Sequence, residues 1–206
     1  MEKTAFLVVD MLTDFFLPKP GLPIPVQMER LLENNQRAVR KARGKGIPVV
    51  FVNDSFQKME IPIDRHFKLS SPHAIIGTEG AKVAKELEYD EDRDFVVPKK
   101  LYDGFYNTRL DSILRELDIR KCIVTGTWTH VCVQHTVMGA WCRGYDVILL
   151  KDCCSCPDEK AHAYSLDYMK AFYAAEILDS DTWFARLEES SRRTLSARPE
   201  TNHATP

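Results

Sequence analysis

The feature that most constrains this chain is the recurrence of short, unbroken apolar runs separated by segments of helical periodicity. Ala5 to Val9, Pro48 to Asn53, Phe95 to Val97, Cys122 to Thr125 and Asp146 to Leu150 are strand-sized, with a last strand near Glu176 to Leu178. A strand apolar on both faces is covered on both faces, which is the signature of a parallel sheet. Between the runs, Met28, Leu31, Leu32, Val39 and Ala42 make one helical stripe, closed by Gly44 and Gly46. Further helices are predicted over Ala81 to Leu87, over Val131 to Arg143 with Gly144 behind it, over Glu159 to Ala175 and over Thr182 to Glu189. Another is capped by Asn107 or Thr108 and runs to Leu117, with Asp111 placed for a capping box. Strands alternating with helices predict a three-layer α/β/α domain on a mainly parallel six-stranded sheet, over residues 1–189. The polar segment 190–206 reads as a frayed tail. Asp54 to Gly80 is too long for an ordinary connection and reads as a functional excursion over the ligand-binding end of the sheet.

Composition narrows the partners. Lys plus Arg is 28 against 30 Asp plus Glu, a formal charge of -2, which argues against a nucleic-acid binder. No apolar stretch approaches the roughly 20 residues a membrane span requires. Asp10 interrupts the only N-terminal apolar run, so no signal-peptide pattern is present. Five of the six cysteines fall in or beside predicted strands and helices, as expected for reduced thiols in a cytoplasmic protein.

Ligands of an open parallel sheet bind beyond the carboxyl ends of the strands, where the strand order reverses. The polar residues at those ends are Asp10, Asp54, Lys99 and the segment Gly126-Thr127-Trp128 leading to Cys132. Each alone could be a merely solvated strand end; an acid, a lysine and a cysteine on one rim are a stronger signal. Cys132 opens a helix, where backbone N–H groups stabilise a thiolate, and a neighbouring ammonium adds to that. The competing reading of Cys132 is a small buried hydrophobe.

These residues sit in recognisable surroundings: Phe6-Leu7-Val8-Val9-Asp10-Met11, Val96-Val97-Pro98-Lys99 followed by Tyr102-Asp103-Gly104-Phe105, and Thr125-Gly126-Thr127-Trp128-Thr129-His130-Val131-Cys132-Val133. From about Ala5 to Leu178 the chain resembles the isochorismatase-like cysteine hydrolases, which include nicotinamidases, N-carbamoylsarcosine amidases and ureidoacrylate amidases. The resemblance implies that Cys132 attacks a small amide or carbamoyl carbon, Asp10 shuttles the proton and Lys99 holds the charges. It further implies a cis Thr127–Trp128 peptide, with the N–H groups of Trp128 and Cys132 as oxyanion donors. Relatives that cleave the enol ether of isochorismate lack the cysteine, so its presence here favours C–N hydrolysis. Phe15 and Tyr102 match pocket positions of the family; Phe56, Phe105 and Trp128 are further pocket candidates. No cofactor is expected, and the family habit implies a homodimer or homotetramer.

Rival readings use the same residues. A zinc-type nicotinamidase carries Asp-x-His after the second strand, and here Asp54-Ser55-Phe56 loses that histidine. Asp54 and His73 remain, too few for a three-ligand site, with His66 as a substitute for the missing place. No metal is therefore expected. Cys153, Cys154 and Cys156 with His162 could form a metal tract, but tight spacing favours core and turn cysteines. His130 and His135 bracket Cys132 as alternative bases. Trp141 and Trp183 fall on apolar helix stripes and read as core or interface. A catalytically silent binding or thiol-sensing protein on the same fold is the alternative from another class.

Overall fold

A computed structural model of the chain describes residues 3–196. Its six strands are β1 (Thr4–Val9), β2 (Val49–Asp54), β3 (Phe95–Lys99), β4 (Lys121–Thr127), β5 (Asp146–Ser155) and β6 (Glu176–Leu178). They form one sheet in the order β3-β2-β1-β4-β5-β6, with every pairing parallel. The helices are α1 (Met28–Gly44), α2 (Leu110–Glu116), α3 (Gln134–Cys142), α4 (Glu159–Phe172) and α5 (Ser180–Ser196). None is long and apolar enough to cross a membrane among the described residues.

The alternation of side chains along each strand divides the core in two. Leu7, Val9, Val52, Val97 and Val124 face a core shared with Leu110 of α2, Val137 of α3 and Met169 of α4. Phe6, Val8, Phe51, Ile123 and Ile148 face the other way, against Leu31 and Val39 of α1 and Trp183 of α5. This is the three-layer α/β/α arrangement that the apolar runs predict. Trp183 is core, whereas Trp141 on α3 is half exposed.

Several boundaries differ from the sequence pattern. Ala81 to Leu87 is no helix: it holds only single 3-10 turns at Glu79–Ala81 and Lys85–Leu87. Val83 instead bridges Leu12, and the N–H of Ala84 donates to Met11 O at 2.8 Å, so tertiary pairing claims a backbone donor that a helix would use. The helix after Thr108 begins at Leu110. Thr108 Oγ1 does accept from the Leu110 N–H, but Asp111 accepts from the Tyr145 hydroxyl instead of closing a capping box. β5 runs on through Cys153 and Cys154, past the expected end at Leu150. α5 continues to Ser196, beyond Glu189; the rest of the polar tail lies outside the described residues.

The strand order reverses between β1 and β4, so their carboxyl ends open a crevice. Gly126 lets β4 close on β1 there. Its φ is +122°, and a Cβ would stand 2.0 Å from Val9 O, so no other residue fits.

Candidate active site

Three strand ends deliver the polar residues of the crevice. Asp10 follows β1 in a left-handed conformation, φ +50°, uncommon for a residue with a Cβ. Its N–H donates to Val52 O at 3.0 Å, its carbonyl accepts from Thr127 Oγ1 at 2.9 Å, and its Oδ1 accepts from the Asp54 N–H at 2.6 Å. Asp54 and Lys99 end β2 and β3 and face each other in register. Lys99 Nζ lies 2.7 Å from Asp10 Oδ2, 2.5 Å from Asp54 Oδ1 and 3.4 Å from Cys132 Sγ. Cys132 comes from beyond β4, on a turn of π-helix, Thr129–Val133, that follows a cis Thr127–Trp128 peptide and runs into α3. Wide turns of this kind recur at functional sites. The structure thus brings Asp10, Lys99 and Cys132 together, all buried.

Their electrostatics follow from burial and from one ammonium shared by two carboxylates. Burial and the neighbouring Asp54 charge raise Asp10 to about 6, against the pull of Lys99. Burial also opposes the charge of Asp54, but Lys99 and His73 outweigh it and hold that carboxyl at about 2. Lys99 is raised well above the lysine range: burial works against its charge, and Asp10 and Asp54 overcome it. Burial and the Asp10 charge push the Cys132 thiol well up, with Lys99 opposing. At neutral pH the resting pair is a thiol beside a carboxylate, poised for a proton to pass from sulfur to oxygen.

Neither bracketing histidine is the sulfur's partner. His135 turns Nδ1 to Val131 O at 2.7 Å, and the polar neighbours of Sγ are Lys99 and Asp10. The cysteine tract does not converge either. Cys153 and Cys154 alternate into opposite cores, and His162 Nδ1 is engaged with Thr129 Oγ1 at 2.9 Å. All six cysteines are free.

The histidine that the sequence reading treats as a substitute is placed close by. His66 Nε2 lies 3.2 Å from His73 Nε2, which is 3.5 Å from Asp54 Oδ2. His73 Nδ1 sits 2.8 Å from Ser71 O, so Nδ1 donates there and Nε2 faces Asp54 and His66. Phe56 stands where the family's first histidine would be; its ring stacks on His66 at 5.4 Å between centroids. With His66 in the missing place, a carboxylate and two imidazoles converge, three donor groups that could hold a metal ion. Chain spacing gave little sign of this, because His66 rides on a 3-10 turn, Arg65–Lys68, whose placement is tertiary.

Cys132 reaches a cavity of about 230 Å³ whose wall includes Phe15, Leu22, Tyr102, Trp128 and Val131, with His66 and His73 beside them. Three of the aromatic pocket candidates are thus on the wall. Phe56 and Phe105 are not. Phe56 is wholly buried behind His66, and Phe105 stacks on Tyr145 inside the core.

A buried thiol, acid and lysine at the switch point of a doubly wound parallel sheet define an α/β site of hydrolase type. The Isochorismatase domain family model matches residues 4–182, and the chain belongs to that family of hydrolases. It is 27% identical over 195 residues to the ureidoacrylate amidohydrolase RutB of Acinetobacter baylyi, covering 84% of this chain and 79% of that one. It is 29% identical over 176 residues to a protein of Arabidopsis thaliana named as a probable inactive nicotinamidase, covering 82% and 89%. Among solved structures, N-carbamoylsarcosine amidase from Thermoplasma acidophilum superposes with a TM-score of 0.74 at 30% identity, covering 88% of this chain and 98% of that one.

Proposed function

We propose that the protein is a cysteine amidohydrolase that cleaves a small non-peptide amide or carbamoyl C–N bond. The observation that carries this is the chain of contacts at the cavity wall: Cys132 Sγ, Lys99 Nζ 3.4 Å away, and Asp10 Oδ2 a further 2.7 Å on. Asp10 takes the thiol proton as sulfur bonds to the carbonyl carbon, and the C=O electrons move onto oxygen. The N–H groups of Trp128 and Cys132 are assigned to that oxyanion. Its collapse breaks the C–N bond, and the leaving nitrogen departs with the proton from Asp10. Asp10 next deprotonates a water that attacks the thioester, and sulfur leaves with that proton. Lys99 keeps the site's net charge balanced throughout.

The intact acid, lysine and thiol speak against a silent binding protein, although one relative bears an inactive name. A second reading has its own observation. Asp54, His66 and His73 would hold a divalent metal, which when bound supplies a Lewis acid for a ring nitrogen or carbonyl of substrate, as a nicotinamidase of metal type requires. Ammonia release from nicotinamide, ureidoacrylate and N-carbamoylsarcosine, with wild type and Cys132→Ala, with and without chelator, separates the two. Turnover that needs Cys132 and survives chelation is expected. Full turnover by Cys132→Ala defeats the nucleophile assignment, and loss on chelation with restoration by zinc moves the reading to the metal-type enzyme.

A further inference from the structure

The reaction leaves unused the cysteine tract and the histidine that follows it, yet two of those residues hold the turn that carries the nucleophile. Trp128, whose N–H is assigned to the oxyanion, stands between two fully buried threonines. Thr127 Oγ1 donates to Asp10 O at 2.9 Å and ties the segment to β1. Thr129 Oγ1 shares a hydrogen bond of 2.9 Å with His162 Nδ1 of α4, which packs directly on the π-helical turn. The Trp128 carbonyl accepts from the N–H groups of Val131 and Val133 at 3.0 and 3.3 Å, so the direction of its peptide passes straight to the residues around Cys132. Held at one threonine alone, the segment could pivot about it; held at both, it cannot.

The anchor on α4 is itself fixed. Asp158 caps the helix, its side chain accepting from the Lys160 and Ala161 N–H groups at 2.8 and 3.2 Å and its carbonyl from the His162 N–H at 2.9 Å. The buried Cys156 thiol lies 3.1 Å from the same carbonyl, and the N–H groups of His130 and His162 are directed at its sulfur. Turn and helix are therefore joined twice, at Thr129 and at Cys156. His162 lines a cavity of about 410 Å³ with Val26, Arg30 and Glu159, and that cavity shares no wall residue with the one at Cys132. The ring thus reaches the reaction through Thr129. Burial lowers its pKa against the pull of Glu159, so at neutral pH the link to Thr129 is a hydrogen bond between neutral groups, which an amide can reproduce.

We propose that His162 is a positioning residue of the hydrolysis: through Thr129 it fixes, from α4, the backbone that presents the Trp128 N–H and Cys132. The proposal rests on the amidohydrolase reading and deepens it.

The test compares His162→Leu, His162→Asn, Thr129→Val and the Thr129→Val/His162→Leu double variant, with kcat and KM measured by ammonia release. In His162→Leu, kcat is expected to fall about 10- to 100-fold, the scale of a displaced oxyanion donor, while KM stays within about twofold. His162→Asn, whose amide takes the place of Nδ1, should recover most of that loss. Thr129→Val should reproduce it, and adding His162→Leu should cost nothing more. Should His162→Leu not fold, Thr129→Val and His162→Asn carry the same comparison. Wild-type kcat in His162→Leu, a loss confined to KM, or additive losses in the double variant overturns the proposal. The second readout needs no substrate: alkylation of Cys132 by iodoacetamide, followed by mass spectrometry, should slow about 10-fold in His162→Leu. Slowed alkylation without Cys132-dependent turnover of any amide sinks the amidohydrolase reading while upholding the anchor. Cys132-dependent turnover that is indifferent to His162 does the reverse.

Discussion

At the scale of single residues, Asp10 carries the most consequence. It is wholly buried, bent into the left-handed region, and hydrogen-bonded through N–H, carbonyl and Oδ1, so its carboxylate has one available direction. Burial and Asp54 raise it to about 6, where a base is strong enough to take a proton yet still ionised at neutral pH. The sign follows: below about 6 the carboxyl is protonated and cannot accept from sulfur. We expect kcat/KM to rise with pH through about 6, and Asp10→Asn to lose about 10²- to 10⁴-fold of activity at neutral pH. A profile flat between pH 5 and 7 would remove Asp10 from the proton path. The convergence of Asp10, Lys99 and Cys132 on one rim was legible in the sequence because Asp10 and Lys99 stand at the ends of apolar runs and Cys132 in the segment leading out of a third, in surroundings that resemble the family. Their separations along the chain said nothing of Asp54 as the second carboxylate on Lys99, nor of His66 at His73. Those contacts are made by register between β2 and β3 and by a 3-10 turn, neither of which has a local residue code.

At the scale of elements, the strands were readable and the segment around residue 83 was not. Apolar runs such as Phe6-Leu7-Val8-Val9 are buried on both faces wherever they lie, so periodicity alone identifies them. The segment from Ala81 to Leu87 has helical spacing, but its backbone is spent on Met11 and Leu12, and Ala84 and Leu87 reach the core without a helix. Cys153 and Cys154 lie just past the expected strand end at Leu150, where core or turn cysteines are expected; they are core, because β5 runs on through them after a register shift between Val124 and Gly126 of the neighbouring strand. That shift makes Gly126 the element-scale test. Gly126→Ala places a methyl 2.0 Å from Val9 O at a φ that disfavours any side chain, so β1 and β4 must separate at the carbonyl preceding Asp10. We expect a loss of about 2–4 kcal/mol in urea unfolding, from overpacking plus backbone strain. Activity should fall further than stability alone explains, because Asp10 moves with Val9. A variant as stable as wild type would mean that the sheet tolerates the gap.

At the scale of the whole molecule, the buried charge cluster ties function to pH-dependent stability. Asp54 is held at about 2 in the folded chain, below the ordinary 3.8. Its contribution is fully present above about 4 and is lost as pH falls through about 2. Asp10 has the opposite sign: its folded value of about 6 lies above the same 3.8. The folded state therefore binds that proton more tightly than the unfolded chain does, and stability declines as pH rises from about 4 to 6. Lys99, raised well above the lysine range, contributes fully at every pH below its unfolded value and varies little across this window. Two carboxylates on one ammonium thus place the cluster's stability maximum on the acid side of neutrality, and the shortfall at pH 7 is the cost of holding a base ready beside Cys132. Urea unfolding followed from pH 3 to 8 should show the decline between 4 and 6 in wild type. In Asp10→Asn, which has no proton to lose there, that decline should vanish while the acid limb of Asp54 remains. An unchanged curve in the variant would mean that the pH dependence belongs to other groups, and that Asp10 is not held at a raised value.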